Sequence, residues 1–63
     1  MKFSKVQRAR LAKGMTGNTL AMMTGLSRPQ IYRIETGERK PRADERAKIS
    51  IALDKPEAVL FGN

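Results

Sequence analysis

Groups able to bind anions are concentrated in two stretches of the chain. Residues 1–13 carry Lys2, Lys5, Arg8, Arg10 and Lys13 with no acid, and residues 28–42 carry Arg28, Arg33, Arg39, Lys40 and Arg42 against Glu35 and Glu38. Residues 14–27 between them are uncharged, and from Ala43 onward Arg46, Lys48 and Lys55 meet Asp44, Glu45, Asp54 and Glu57. The 63-residue chain as a whole holds 13 Lys and Arg against 6 Asp and Glu, a net charge of +7. Ammonium and guanidinium groups at this density make a polyanion the default partner. The competing reading of such charge runs is a solvated surface, and composition alone does not separate the two.

Other chemistry is poorly represented. With no cysteine and no histidine, disulfides, thiol nucleophiles, zinc-finger ligands and the commonest general base are absent. Six carboxylates are accounted for by capping, ion pairing or solvation, so neither an enzyme nor a metal or cofactor site is expected. A length of 63 residues with 40% hydrophobic side chains suits one small domain spanning 1–63, whose core is too small to sustain a substrate cavity. No apolar run approaches the roughly 18 residues that cross a bilayer, and the N-terminus has no secretory apolar segment. The expectation is a soluble cytoplasmic protein without a membrane partner.

The elements that position these charges read as helices. Strand-like alternation and hairpin dipeptides are absent, while apolar residues recur at helical spacing between glycines and prolines, so an all-α fold of five short helices is predicted. The first runs from about Ser4 to Lys13, with Phe3, Val6 and Leu11 toward one side, a basic opposite side and Gly14 at its end. Thr16 caps a second helix carrying Leu20, Ala21 and Met23, closed by Gly25. Ser27 caps a third, whose first turn tolerates Pro29 because amides there have no intrahelical acceptor to lose. Ile31 and Ile34 set its buried face. At about 100° per residue, Pro29, Tyr32, Arg33 and Thr36 then point outward and Arg28, Gln30 and Glu35 lie on the flanks.

Gly37 closes the third helix, and Glu38 to Arg42 form a basic loop broken by Pro41. A fourth helix from about Asp44 to Leu53 buries some combination of Ala47, Ile49, Ala52 and Leu53. A last short helix begins near Pro56 and carries Val59, Leu60 and Phe61. Leu60 and Phe61 suit either the core or a subunit interface, and Met22 and Met23 either packing or the surface.

Thr16 to Gly37 reads TGNTLAMMTGLSRPQIYRIETG, two short helices joined by a tight turn at Gly25-Leu26-Ser27, which is a helix-turn-helix pattern. The chain resembles the Cro and phage-repressor family, also called the XRE family. The resemblance rests on RLAKGMT at residues 10–16, LAxxxGLS across the turn, IxxIExG in the third helix, the basic loop containing Pro41, and the closing LFG at 60–62. It covers nearly the whole chain and implies a compact five-helix lambda-repressor-like domain. Ala21 is then small because the second and third helices cross closely there, and Leu26 fills the gap between them.

The same resemblance implies double-stranded DNA as the partner, with the third helix, about 28–36, in the major groove and the second across the backbone. Arg28 and Arg33 become base readers, since a guanidinium donates two parallel hydrogen bonds to guanine O6 and N7, and at least one guanine per half-site is expected. Pro29 offers an apolar contact to a thymine methyl. Gln30 suits adenine or a phosphate, and Tyr32 a methyl or a phosphate. Phosphate anchoring is assigned to the amides that follow Thr16 and Ser27, with Gly17 and Asn18 in the first turn, and to Thr36, Arg39, Lys40 and Arg42. Family relatives pair an arginine of helix one with a glutamate of helix three, so Arg10 and Glu35 are expected to form an ion pair, with phosphate as the lesser role of Arg10.

Several positions depart from the family. Gly17 stands where relatives have glutamine, which removes a side chain that commonly bonds phosphate. Thr19 replaces the glutamate of a capping box, and Thr24 stands where an apolar residue is common, so a weaker second helix is expected. Because one helix in one groove reads few base pairs, a homodimer, at least on DNA, is expected on an inverted repeat. A free-standing Cro-like or controller-like transcription regulator of phage or bacterial origin, acting at the nucleoid without a small-molecule effector, is the implied function. The alternative keeps the fold for protein contact, as an antitoxin or a regulator that binds another repressor.

Overall fold

The computed structural model describes residues 4–62, and its elements are α1 (Lys5–Ala12), α2 (Gly17–Thr24), α3 (Arg28–Thr36), α4 (Ala43–Leu53) and α5 (Glu57–Phe61). The local causes lie largely in the caps. The Ser4 hydroxyl accepts the Gln7 amide at 3.1 Å and the Thr16 hydroxyl accepts the Thr19 amide at 3.0 Å, each satisfying a first-turn donor. At α3 the exchange is reciprocal: Ser27 Oγ accepts the Gln30 amide at 3.2 Å, and Gln30 Oε1 accepts the Ser27 amide at 2.9 Å. Left-handed glycines close α2 and α3, Gly25 at φ 74° and Gly37 at φ 86°, a conformation that costs a side-chain-bearing residue about 1–2 kcal/mol.

All five helices contribute to one core. α2 packs on α3 and α4, and α1 packs on α3 and α5. Val6, Leu20, Ala21, Ile31, Ile34, Ile49, Ala52, Leu53 and Leu60 are buried, with Met15, Leu26 and Phe61 half-buried against them. Leu20, Ile49 and Leu53 are fully enclosed, each worth about 1.5–3 kcal/mol of burial. The core lies behind the helix-turn-helix and leaves the outer face of α3 uncovered.

Three expectations need adjustment. Leu11 is 58% exposed rather than facing the core, because it stands about 140° from Val6 around the helix whereas Arg10 stands only about 40° from it. The inward position on α1 therefore carries a charge. Phe3, placed on the same side, lies outside the described residues. In the last helix, Leu60 is buried in the core and Phe61 is half-buried against it, and Val59 is the exposed large apolar residue of α5. Thr24 is buried with its hydroxyl donating to the Leu20 and Ala21 carbonyls at 2.8 and 3.2 Å, so this departure from the family is satisfied within α2.

Candidate nucleic-acid interface

α3 presents Arg28, Pro29, Tyr32, Arg33 and Thr36 to solvent while Ile31, Ile34 and Glu35 face the protein. The outward set falls at intervals of one, three, one and three residues, a stripe along one side of a helix. The three buried side chains behind it, Ile31, Ile34 and Glu35, hold the stripe in place, and Arg28 and Arg33 supply its only charges. Of the three residues placed on the flanks, Arg28 is exposed and joins the stripe, whereas Glu35 is buried. Gln30 is half-buried with its carbonyl oxygen engaged in the α3 cap. A bidentate bond from Gln30 to adenine needs that oxygen, so such a contact requires the cap to open.

Arg10 and Glu35 meet as the resemblance implied. Arg10 Nε donates to Glu35 Oε2 at 2.7 Å, Nη2 donates to Oε1 at 3.2 Å, and Nη1 donates to the Met15 carbonyl at 2.9 Å. The side chains are only 11% and 5% exposed. All three guanidinium nitrogens are thus engaged, and the bond joins α1, the α1–α2 connection and α3. Removing one partner of so enclosed a pair leaves an uncompensated charge, at a cost of about 3–5 kcal/mol.

The α2 N-terminus lies close by. A groove of about 540 Å³ has Thr16, Gly17, Arg28 and Tyr32 in its walls, so two residues assigned to phosphate and two assigned to bases border one depression. No heavy atom comes within 4 Å of where a Cβ on Gly17 would stand. The missing side chain therefore reflects no steric limit. Asn18 is exposed and turns its amide toward Met22 Sδ at 3.8 Å, a weak contact.

The basic loop divides into two kinds of cation. Lys40 is exposed and the Arg42 side chain is 77% exposed, its nearest acid being Asp44 at 3.9 Å. Arg39 instead folds back: its amide donates to the Arg33 carbonyl at 3.1 Å and its Nη2 donates to Glu45 Oε2 at 2.7 Å. Glu45 Oε1 accepts the Arg42 amide at 2.9 Å, and Arg46 Nη1 donates to the Pro41 carbonyl at 3.0 Å. The Glu45 carboxyl is held below the usual glutamate range, first by the Arg39 hydrogen bond and then by the Arg42 amide, against the opposing effect of burial. Sequence reasoning missed Glu45. The signal was a glutamate three residues after Arg42, the residue that caps α4, which is the spacing of a capping box.

Fold and surface define a class: an all-α helix-turn-helix domain whose second motif helix offers an exposed, cationic face. The helix-turn-helix family profile matches residues 6–60. Among solved structures, the restriction-modification controller protein C.AhdI from Aeromonas hydrophila is 33% identical, covers 90% of this chain and 86% of its own, and superposes with a TM-score of 0.84. No curated protein matches significantly. The chain belongs to the XRE-type helix-turn-helix family and is a DNA-binding transcription regulator.

Proposed function

We propose that residues 1–63 form one domain that reads double-stranded DNA sequence-specifically with α3 in the major groove, as a homodimer on an inverted repeat. The single observation that carries this is the solvent-facing stripe of Arg28, Pro29, Tyr32, Arg33 and Thr36, backed by isoleucines and by a buried glutamate. Arg33, near the middle of the stripe, and Arg28, at its N-terminal end, donate in pairs to guanine O6 and N7. Pro29 and Tyr32 add apolar contact. The free amides that follow the caps, on Gly17 and Asn18 after Thr16 and on Arg28 after Ser27, together with Thr36, Lys40 and Arg42, anchor phosphates on either side. Arg10 and Glu35 set the angle of α3 rather than touching DNA.

C.AhdI is a restriction-modification controller, and a controller of a small gene set in the cytoplasm of a bacterial cell is the role that suits this chain. Pairing two copies places two recognition helices about one helical turn apart. Exposed Val59 and Ile51, on α5 and α4, are apolar groups that such pairing covers. Protein contact as the main function is the second reading, favoured by the exposure of Met22 and Met23 on α2.

Selection from a randomised duplex pool at about 150 mM salt, where non-specific phosphate binding is weak, tests the proposal. The expected product is an inverted repeat bound with two chains per duplex. Enrichment of no sequence, with binding that merely falls steeply with salt, supports the protein-contact reading.

A further inference from the structure

Arg39, expected from the family resemblance to anchor phosphate, is instead paired with Glu45, a carboxylate so far given no role at the DNA surface. We infer that Glu45 is a positioning residue for DNA binding: one carboxylate, bridging the Arg39 guanidinium and the Arg42 amide, fixes the α3–α4 connection from which Lys40 and Arg42 present their charges. The inference rests on the DNA-binding reading above and deepens it at the basic loop.

The geometry is that of a clamp. The connection from Gly37 to Arg42 is tied at its start by the Arg39 amide on the Arg33 carbonyl at 3.1 Å, and at its end by the Arg42 amide on Glu45 at 2.9 Å. Glu45 reaches both ends, since its other oxygen takes the Arg39 Nη2 proton at 2.7 Å. The neighbouring residue of α4 adds a third tie, Arg46 Nη1 on the Pro41 carbonyl at 3.0 Å. The two charged side chains are 27% and 9% exposed, and Arg39 Nη1 is enclosed without a partner. A guanidinium so covered is a strut, and the exposed cations of the loop are its neighbours Lys40 and Arg42. A loop of that length without the clamp samples many conformers, and ordering it on binding has an entropic cost. Holding the backbone beforehand reduces that cost.

Charge counting and clamping predict opposite signs for one substitution. Glu45→Gln removes an acid from a protein of net charge +7, which on charge counting tightens DNA binding. As a clamp, Glu45→Gln weakens it by about two- to tenfold. Arg39→Gln weakens it to a similar extent, and the double variant is no weaker than either alone, because both substitutions open the same clamp. The slope of log K against log[salt] stays unchanged in Arg39→Gln, whereas loss of a phosphate contact lowers its magnitude by about 0.9.

The experiment is fluorescence anisotropy of the full chain and its variants on the duplex that selection yields, across a salt series. Amide hydrogen exchange of Arg39 and Arg42 without DNA is measured beside it. Expected are weaker binding in both variants, an unchanged salt slope and faster exchange at both amides. Tighter binding by Glu45→Gln, or unchanged exchange at Arg42, overturns the inference. If Glu45→Gln does not fold, Glu45→Asp serves, since it keeps the charge and is too short to span both partners; wild-type affinity in Glu45→Asp overturns the inference equally. Failure of the wild-type chain to bind any duplex speaks against the DNA reading itself, while the exchange measurement decides the clamp separately.

Discussion

Of the three arginine–glutamate pairs among the described residues, Arg46–Glu57 is open to solvent, and the two enclosed pairs hold this protein together at different levels. Arg10 and Glu35 are separated by twenty-five residues and join two helices; Arg39 and Glu45 are six apart and close a loop. The first is bidentate, with side chains 11% and 5% exposed, and it turns α3 so that its cationic stripe faces outward. The second is singly bonded on the guanidinium side, more open, and shares its carboxylate with a backbone amide. The comparison teaches that the same two residue types act on the orientation of a helix when the pair is long-range and enclosed, and on the entropy of a loop when it is local and half-open. Stability is therefore expected to depend chiefly on the first and the affinity for phosphate chiefly on the second.

The largest effect that bears on this contrast is Glu35→Gln. It leaves the enclosed Arg10 guanidinium without its counter-charge and is expected to lower unfolding free energy by about 3–5 kcal/mol in urea titrations. That is a large part of the stability of so small a domain. A loss no greater than that of Glu45→Gln breaks the ranking.

Glu45→Gln comes next, at about 1.5–3 kcal/mol for the charged hydrogen bonds, with a distinctive dependence on pH. The folded-state pKa of Glu45 lies below its unfolded value, so its contribution is fully present above about pH 4.3 and is lost as pH falls through the lower folded value. The stability difference between wild type and Glu45→Gln should therefore shrink as pH drops below that point, as thermal unfolding at several pH values would record. A difference that grows on acidification contradicts the assignment of the Arg39 and Arg42 bonds.

Smaller effects sharpen the contrast by moving away from both pairs. Asp54 closes α4 in the left-handed region at φ 55°, where a side chain is strained, so Asp54→Gly should stabilise the fold by up to about 1 kcal/mol while leaving DNA affinity unchanged. Gly17→Gln is the reverse case. Open space surrounds that position, so the new amide has room to reach a phosphate, and binding should tighten by about 0.5–1.5 kcal/mol with little change in thermal midpoint. Weaker binding there would mean that DNA approaches the Gly17 backbone too closely for a side chain.

How much of this was legible in the sequence follows the range of each interaction. The caps Thr16 and Ser27 and the closures at Gly25 and Gly37 are local, and all are present, while Ser4, read as the start of the first helix, caps it. α3 occupies the predicted 28–36, and its two isoleucines were enough to orient Tyr32, Arg33 and Thr36 outward. The Arg10–Glu35 pair was available through family resemblance alone, since nothing local links residues 25 apart. Leu11 was misplaced because hydrophobicity outweighed angle: the inward side of α1 belongs to a charged residue whose partner lies on another helix. The pairing of Arg39, expected at phosphate, depends on how the loop folds back and is not legible locally, whereas the capping spacing of Glu45 from Arg42 is.

The stripe on α3 is the central claim, and one measurement addresses it directly. Each guanine of the selected duplex is replaced in turn by 7-deazaguanine, which lacks the N7 acceptor, and affinity is measured for the wild type and for Arg33→Ala. The account predicts a loss of about 1–3 kcal/mol at one guanine per half-site with the wild type, and no further loss at that guanine with Arg33→Ala. Equal losses in both proteins, or none at any guanine, would contradict the reading of bases by Arg33.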